Sequence, residues 1–142
     1  MRLTELEPEF YRHESRIETY RRVMAEVFKV RPTGPFTDDD IEEVTGPRDW
    51  YIPVPIAQAQ GIHFLCPVCF AANKRPIGTH GVQVGFVGKA PPGTFSQGKD
   101  GKDSRWNVAG TDFTNLTLTP SIALDADVGC KWHGFVTNGE VT

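Results

Sequence analysis

Cys66-Pro67-Val68-Cys69 and, far along the chain, Cys130-Lys131-Trp132-His133 hold all three cysteines and form two donor pairs, each with two residues between its members. Two intervening residues let one tight turn aim both side chains at a single point, and Zn²⁺ takes four such donors in a tetrahedron. The spacing predicts a Cys3His zinc site made by Cys66, Cys69, Cys130 and His133. His63 and His80 flank the first pair and compete for the fourth position; His133 is preferred because its distance from Cys130 repeats the first turn. Four donors close the coordination sphere and leave no place for substrate or water, so the site reads as structural. Lys131, Trp132 and His63 are expected to surround it, with Lys131 offsetting the negative charge of three thiolates on one ion.

Other uses of the cysteines fit less well. A redox Cys-x-x-Cys needs a helix after it in a βαβ setting, and here Phe70-Ala71-Ala72-Asn73-Lys74-Arg75-Pro76 leaves room for one short helical turn before a proline. An odd count and the close spacing argue against structural disulfides. Cys130, His133 and Gly134 match the second motif of a Rieske cluster, which needs two histidines and two cysteines, whereas the first motif here offers two cysteines. A three-cysteine iron-sulfur site stays open beside zinc.

The chain has 142 residues, 39% hydrophobic and 23% charged, which suits one soluble globular domain with a real core. A net charge of -3 gives no general electrostatic attraction to nucleic acid or anionic membrane. Lys89 to Arg105 is locally basic, yet it carries Asp100 and Asp103 and reads as a solvated loop. No apolar run reaches membrane-spanning length, and Met1-Arg2-Leu3-Thr4-Glu5-Leu6-Glu7 is no secretory signal. A reducing compartment, host cytoplasm or a virion, follows as the expected location.

Residues 1–49 read as an N-terminal extension, helical or irregular, and 50–142 as the core. From Glu14 to Phe28, Ile17, Tyr20, Met24, Val27 and Phe28 recur at helical spacing and predict an amphipathic helix, although the β-branched and aromatic content also permits a strand through Ile17 to Val23. Arg31-Pro32-Thr33-Gly34-Pro35 breaks regular structure. Thr37-Asp38-Asp39-Asp40 then caps a short helix that stops before Gly46-Pro47. The acidic run lacks an EF-hand's glycine and closing glutamate.

Beyond Trp50 the pattern is strand-like. Ile52, Val54 and Ile56 alternate with Pro53 and Pro55, as in an edge strand. Gly61 to Leu65 enters the first metal turn and Val82, Val84 and Phe86 leave it, as the two arms of a zinc-ribbon hairpin would. Leu116 and Leu118 alternate with Thr117 and Thr119. Asn138-Gly139 marks a type I′ turn, so the chain ends on a hairpin just after the second metal turn. The fold class expected is α+β and β-rich: a small antiparallel sheet with a zinc-ribbon-like Cys3His site.

GIHFLCPVCF (61–70), RWN (105–107), LTLTPSI (116–122) and GCKWHGFVTNGEV (129–141), with an opening LTELEPEF (3–10), resemble a family of small proteins of unassigned function in tailed bacteriophages and prophages. Its members are sometimes mislabelled ammonia monooxygenase. The resemblance implies that Cys66, Cys69, Cys130 and His133 are shared metal positions and that Trp106, Pro120 and Ser121 belong to a common framework. It supplies no activity.

Enzymatic motifs are scarce. A zinc deaminase needs His-x-Glu before its cysteines and a metzincin needs His-Glu-x-x-His; neither is present. Ser121 follows Pro120 without a glycine elbow. Asp112, Asp125 and Asp127 would be acid or base partners for His133 only if it did not ligate metal. Lys74, Arg75, Lys131 and Trp132 near the metal turns suggest nucleic-acid contact as an alternative, opposed by the acidic balance. The sequence alone therefore points to a non-enzymatic, zinc-stabilised assembly module, phage-encoded, with protein partners such as other virion subunits and no membrane.

Overall fold

The computed structural model describes residues 1–74, 76–95, 104–124 and 130–142. The chain forms two compact units, Met1–His13 with Tyr51–Thr142, and Glu14–Trp50.

Two antiparallel sheets of four strands give the expected β-rich class. In the first sheet the order is β2 (Ile41–Pro53), β1 (Glu9–Val23), β3 (Gly61–Leu65), β4 (Gly81–Gly85). Period-two alternation turns Ile62, Phe64, Val82 and Val84 inward, in the pairs Ile62↔Val84 and Phe64↔Val82, while His63↔Gln83 takes the opposite face. The start of β1 joins through Phe10↔Ile62. The proline-bearing β2 is outermost, as its missing amide donors require, but it ends at Pro53 and Ile56–Gln58 forms a 3-10 turn where strand was expected.

The second sheet runs β5 (Asn107–Ala109), β6 (Thr117–Ala123), β7 (His133–Thr137), β8 (Glu140–Val141). Leu118, Ile122, Val136 and Val141 face the same core as the first sheet. Phe10 stacks on Phe113 at 4.4 Å, and Phe64 meets Trp132 edge-on at 6.1 Å. Full burial of each such side chain contributes about 1.5–3 kcal/mol. The opening Leu3–Leu6 turn buries Leu3 and Leu6 completely. Its neighbours close the β8 edge: Val141 N–H donates to Met1 O at 2.8 Å and Leu3 N–H to Gly139 O at 2.8 Å. Asn138 (φ 48°) and Gly139 (φ 78°) make the left-handed pair that a type I′ turn needs.

In the second unit the expected helix is absent from Glu14–Val23, which is strand; only Ala25–Val30 (α1) is helical. A short helix is stable only if its apolar stripe is buried, and Ile17 is 74% exposed. Pairs between β1 and β2 hold the segment instead. The hydroxyls of Thr19 and Thr45 are 2.7 Å apart, Arg22 Nε donates to Glu42 at 2.9 Å, and the Arg48 guanidinium lies over the rings of Tyr20 (4.9 Å) and Trp50 (5.3 Å). The acidic run is a single 3-10 turn, Asp38–Asp40, and the chain passes from it directly into β2, so Gly46-Pro47 lies within a strand and not beyond a helix. Asp40 is buried, accepts from the Thr37 amide at 2.9 Å and pairs with Arg31 at 2.6 Å.

Candidate functional site

Cys66 caps the N-terminus of α2 (Pro67–Asn73), where Pro67 fits the first helical position because its missing amide would be unsatisfied there anyway. The backbone of Cys69 and Val68 favours the Cys66 thiolate, and burial opposes it. The β3–β4 ladder ends at Leu65↔Gly81, so the next pair outward is Cys66 with His80, and the Cys66 amide donates to the His80 carbonyl at 3.0 Å. Cys130 joins from the second sheet's side, with Cys66 Sγ to Cys130 Sγ at 3.7 Å.

One ligand atom from each of Cys66, Cys69, His80 and Cys130 lies within 4.8 Å of every other, and this group could hold a metal ion. Three sulfurs and one imidazole nitrogen are a borderline-soft tetrahedral donor set. A tetrahedron with Zn–S of about 2.3 Å has edges of about 3.8 Å, close to the 3.7 Å observed between two of the sulfurs. His80 Nε2 is buried without a hydrogen-bond partner, while its Nδ1 lies 3.3 Å from the Gly81 carbonyl. In the tautomer that donates from Nδ1, the lone pair of Nε2 is the ligand, and the carbonyl fixes the ring's direction.

The thiols respond to this crowding. Burial, then the neighbouring thiols, pushes Cys69 up to about 11, and burial pushes Cys66 up as well. Cys130 is lowered to about 7, first by the His80 ring and then by the Trp132 backbone amide. A cation would be needed to hold all three as thiolates at neutral pH.

The fourth donor gathered with the sulfurs is thus His80, and His133 lies elsewhere. It opens β7 on an exposed face, its Nε2 2.8 Å from Ser121 Oγ. His133 is paired across the sheet with Ala123, and Ser121 is two residues back along β6. Between Ile122↔Gly134 and Leu118↔Val136 the register slips, so Thr119, Pro120 and Ser121 oppose Phe135 alone. Ser121, whose Oγ meets His133, lies in this irregular stretch.

The other expected neighbours divide as follows. Trp132 is buried on Phe64, its carbonyl accepting from Leu124 N–H at 2.9 Å, and Lys131 is exposed. His63 packs over Gly81, where an added Cβ would come within 1.9 Å of its Nε2, and burial lowers its pKa. Asp112 holds the amide and hydroxyl of Thr114 in its own loop. Arg75, Asp100, Asp103, Asp125 and Asp127 lie outside the described residues.

The family whose model matches the chain, over residues 37–142, is described as bacterial ubiquitination-like system serine protease (BubE). The chain belongs to the BubE family. Comparisons with curated proteins and with solved structures gave no match.

Membership in BubE overturns the resemblance to the tailed-phage family, the phage-encoded virion assembly module read from the sequence, and the expectation that the chain is not an enzyme. The shared motifs carry the ligand turns and the closing hairpin, and such framework residues report a fold more directly than a role. Two features had spoken against catalysis. One made His133 a ligand, and His133 instead contacts Ser121. The other was the lack of a glycine elbow before Ser121, which lies in a stretch where the β6–β7 register shifts. The sequence did contain a signal for His80: Ile62 and Phe64 facing Val84 and Val82 fix a register that puts residue 80 beside residue 66. Among the described residues no helix is long and apolar enough to cross a membrane.

Proposed function

We propose that this chain is a serine peptidase acting on a polypeptide of a ubiquitination-like system, with Ser121 as nucleophile and His133 as general base. The carrying observation is the 2.8 Å contact between Ser121 Oγ and His133 Nε2 in a member of a family named for serine proteolysis. A serine hydroxyl is a weak nucleophile until a base within hydrogen-bond reach takes its proton. With the imidazole proton on Nδ1, the Ser121 hydroxyl donates to Nε2. Ser121 Oγ attacks the carbonyl carbon of the scissile bond as its proton passes to Nε2. His133 then returns that proton to the departing amine, and a water activated by His133 hydrolyses the acyl-serine. The pair is on an exposed sheet face, which suits an extended segment or tail of a protein substrate.

Zn²⁺ is the ion we assign to Cys66, Cys69, His80 and Cys130. It would act as a structural pin, since four protein donors leave no open position. The ion would supply folding free energy, and the chemistry belongs to Ser121 and His133.

Labelling with a fluorophosphonate probe tests the pair directly. The adduct should map to Ser121. Ser121→Ala and His133→Ala should each lower peptidase turnover by about 10³–10⁶-fold while metal content and melting temperature stay as in the parent protein. Labelling that persists in Ser121→Ala, or that maps to another serine, would refute the assignment.

A further inference from the structure

The geometry points to Trp106 as the positioning residue of the nucleophile, an inference that rests on Ser121 and His133 being the reacting pair. The β5–β6 ladder runs Ala109↔Thr117, Val108↔Leu118, Asn107↔Thr119 and then stops. Continued in register, residues 106 and 105 would meet 120 and 121. The chain does otherwise. At Trp106 it leaves β6 and bridges Phe86 in parallel, with Trp106 N–H donating to Gly85 O and Val87 N–H to Trp106 O, both at 2.9 Å. The backbone donor that the ladder would have given this stretch of β6 is therefore spent on the end of β4.

The side chain turns to β6 instead. Trp106 is buried, and its indole Nε1–H donates to the Ser121 carbonyl at 3.2 Å. On the other side of β6 the bulge removes regular pairing with β7 over the same residues, Thr119 to Ser121. Ser121 thus lies in a segment where both ladders are interrupted, and the indole is an anchor reaching its peptide group from a residue clamped to the first sheet. That anchor fixes the plane of the Ser121 carbonyl, and through it the direction of Cα–Cβ and the distance from Oγ to His133 Nε2. A merely packed tryptophan would need no such partner placement, although a buried indole N–H does seek an acceptor. What makes this acceptor informative is its identity, the carbonyl of the residue that carries Oγ.

Reacting groups lose rate steeply with displacement, about 10²-fold for 1 Å. A shift of a few tenths of an ångström on losing the indole bond should lower the inactivation rate constant of a fluorophosphonate probe about tenfold, with little change in its saturation constant. The test uses the whole chain with Trp106→Phe, which keeps an aromatic ring, and with Trp106 replaced by 3-benzothienylalanine, which keeps the two-ring shape and lacks the N–H. Both should be slowed alike at constant melting temperature and metal content, with the loss in rate constant and not in saturation. Full-rate labelling of either variant at Ser121 overturns the anchor: the phenylalanine result alone would show that the indole is dispensable, and a fast isostere with a slow phenylalanine that shape matters and the hydrogen bond does not. A parent protein unlabelled at Ser121 overturns the reacting pair, and the anchor with it.

Discussion

Replacing each candidate histidine separately decides which one completes the metal sphere. His80 Nε2 is buried, has no hydrogen-bond partner, and has its ring oriented from Nδ1 by the Gly81 carbonyl at 3.3 Å, whereas His133 Nε2 is engaged with Ser121 at 2.8 Å. Structural zinc sites contribute about 10–16 kcal/mol of apparent binding free energy in small peptides, so one donor of four carries about 2.5–4 kcal/mol. His80→Ala should therefore weaken metal binding by about 10²–10³-fold. His133→Ala should leave it within about threefold, because no donor is lost. Cobalt substitution gives the assay: thiolate-to-cobalt absorption and the intensity of the tetrahedral d–d bands report the sphere, and competition with a chelator of known affinity gives the constants. The assignment of His80 fails if His133→Ala loosens the ion as much as predicted for His80→Ala while His80→Ala binds normally. Loss of cobalt affinity in both would mean that the turn 130–133 and the 80–81 segment fold only together, and the peptidase assay on cobalt-saturated protein would then separate the roles, since only His133 is needed for turnover.

Stripped of metal, the three thiols should alkylate in a fixed order. Cys130, lowered to about 7 by the His80 ring, is partly thiolate at neutral pH and reacts first with iodoacetamide, its rate rising as pH climbs through about 7, while Cys69, pushed up to about 11, reacts last; mass mapping at several pH values checks this, and equal rates would contradict it. In the second unit, Asp40 is held below its ordinary pKa, first by the Thr37 amide, with Arg31 adding to it. A carboxylate lowered on folding stabilises above its unfolded value of about 3.9 and ceases to do so as pH falls through its folded value. Asp40→Asn should speed amide exchange at Thr37, and at Met24, whose N–H donates to the Asp40 carbonyl, at pH 7, and acid should do the same to the parent protein; unchanged exchange in the variant would show that the carboxylate charge contributes nothing there.

Much of this fold was legible because alternation is a strong signal where a strand has one buried face. Gly61–Leu65, Gly81–Gly85 and the final Asn-Gly hairpin were readable from Ile62, Phe64, Val82, Val84, Val136 and Val141, all of which are buried. Glu14–Val23 was not. Its apolar residues satisfy helical spacing and strand composition alike, and in the second unit Ile17 is largely exposed, so no burial enforces either period. The candidate metal ligands were legible as to the cysteines, since two-residue spacing constrains a local turn. The fourth ligand depends on a cross-strand register, which local spacing does not encode. The proposed nucleophile was the least legible. Ser121 carries no motif of its own, and it lies in a stretch where the register between β6 and β7 slips and three residues oppose one.

The segment from Cys130 to His133 looks like one ligand pair and instead divides its work. Cys130 turns toward Cys66, Cys69 and His80, Trp132 enters the core against Phe64, and His133 faces Ser121 on the outside of the sheet. His133 is the first residue of β7, a position where a strand held only by its ladder would fray. Three residues earlier Cys130 joins the candidate metal group, and one residue earlier the chain is anchored by a buried tryptophan whose carbonyl takes the Leu124 amide. A general base needs placement to within tenths of an ångström, and an exposed sheet face provides little packing to achieve it. Pinning the segment just before the base supplies that order from the inner side and leaves the outer face open to a polypeptide. On this reading the ion need not touch substrate for its removal to stop turnover: chelation should abolish fluorophosphonate labelling of Ser121 together with the tetrahedral signature, and re-addition of Zn²⁺ should restore both. Labelling at the full rate in metal-free protein would sever the two halves of the argument, leaving the serine and histidine to be positioned by the sheet alone.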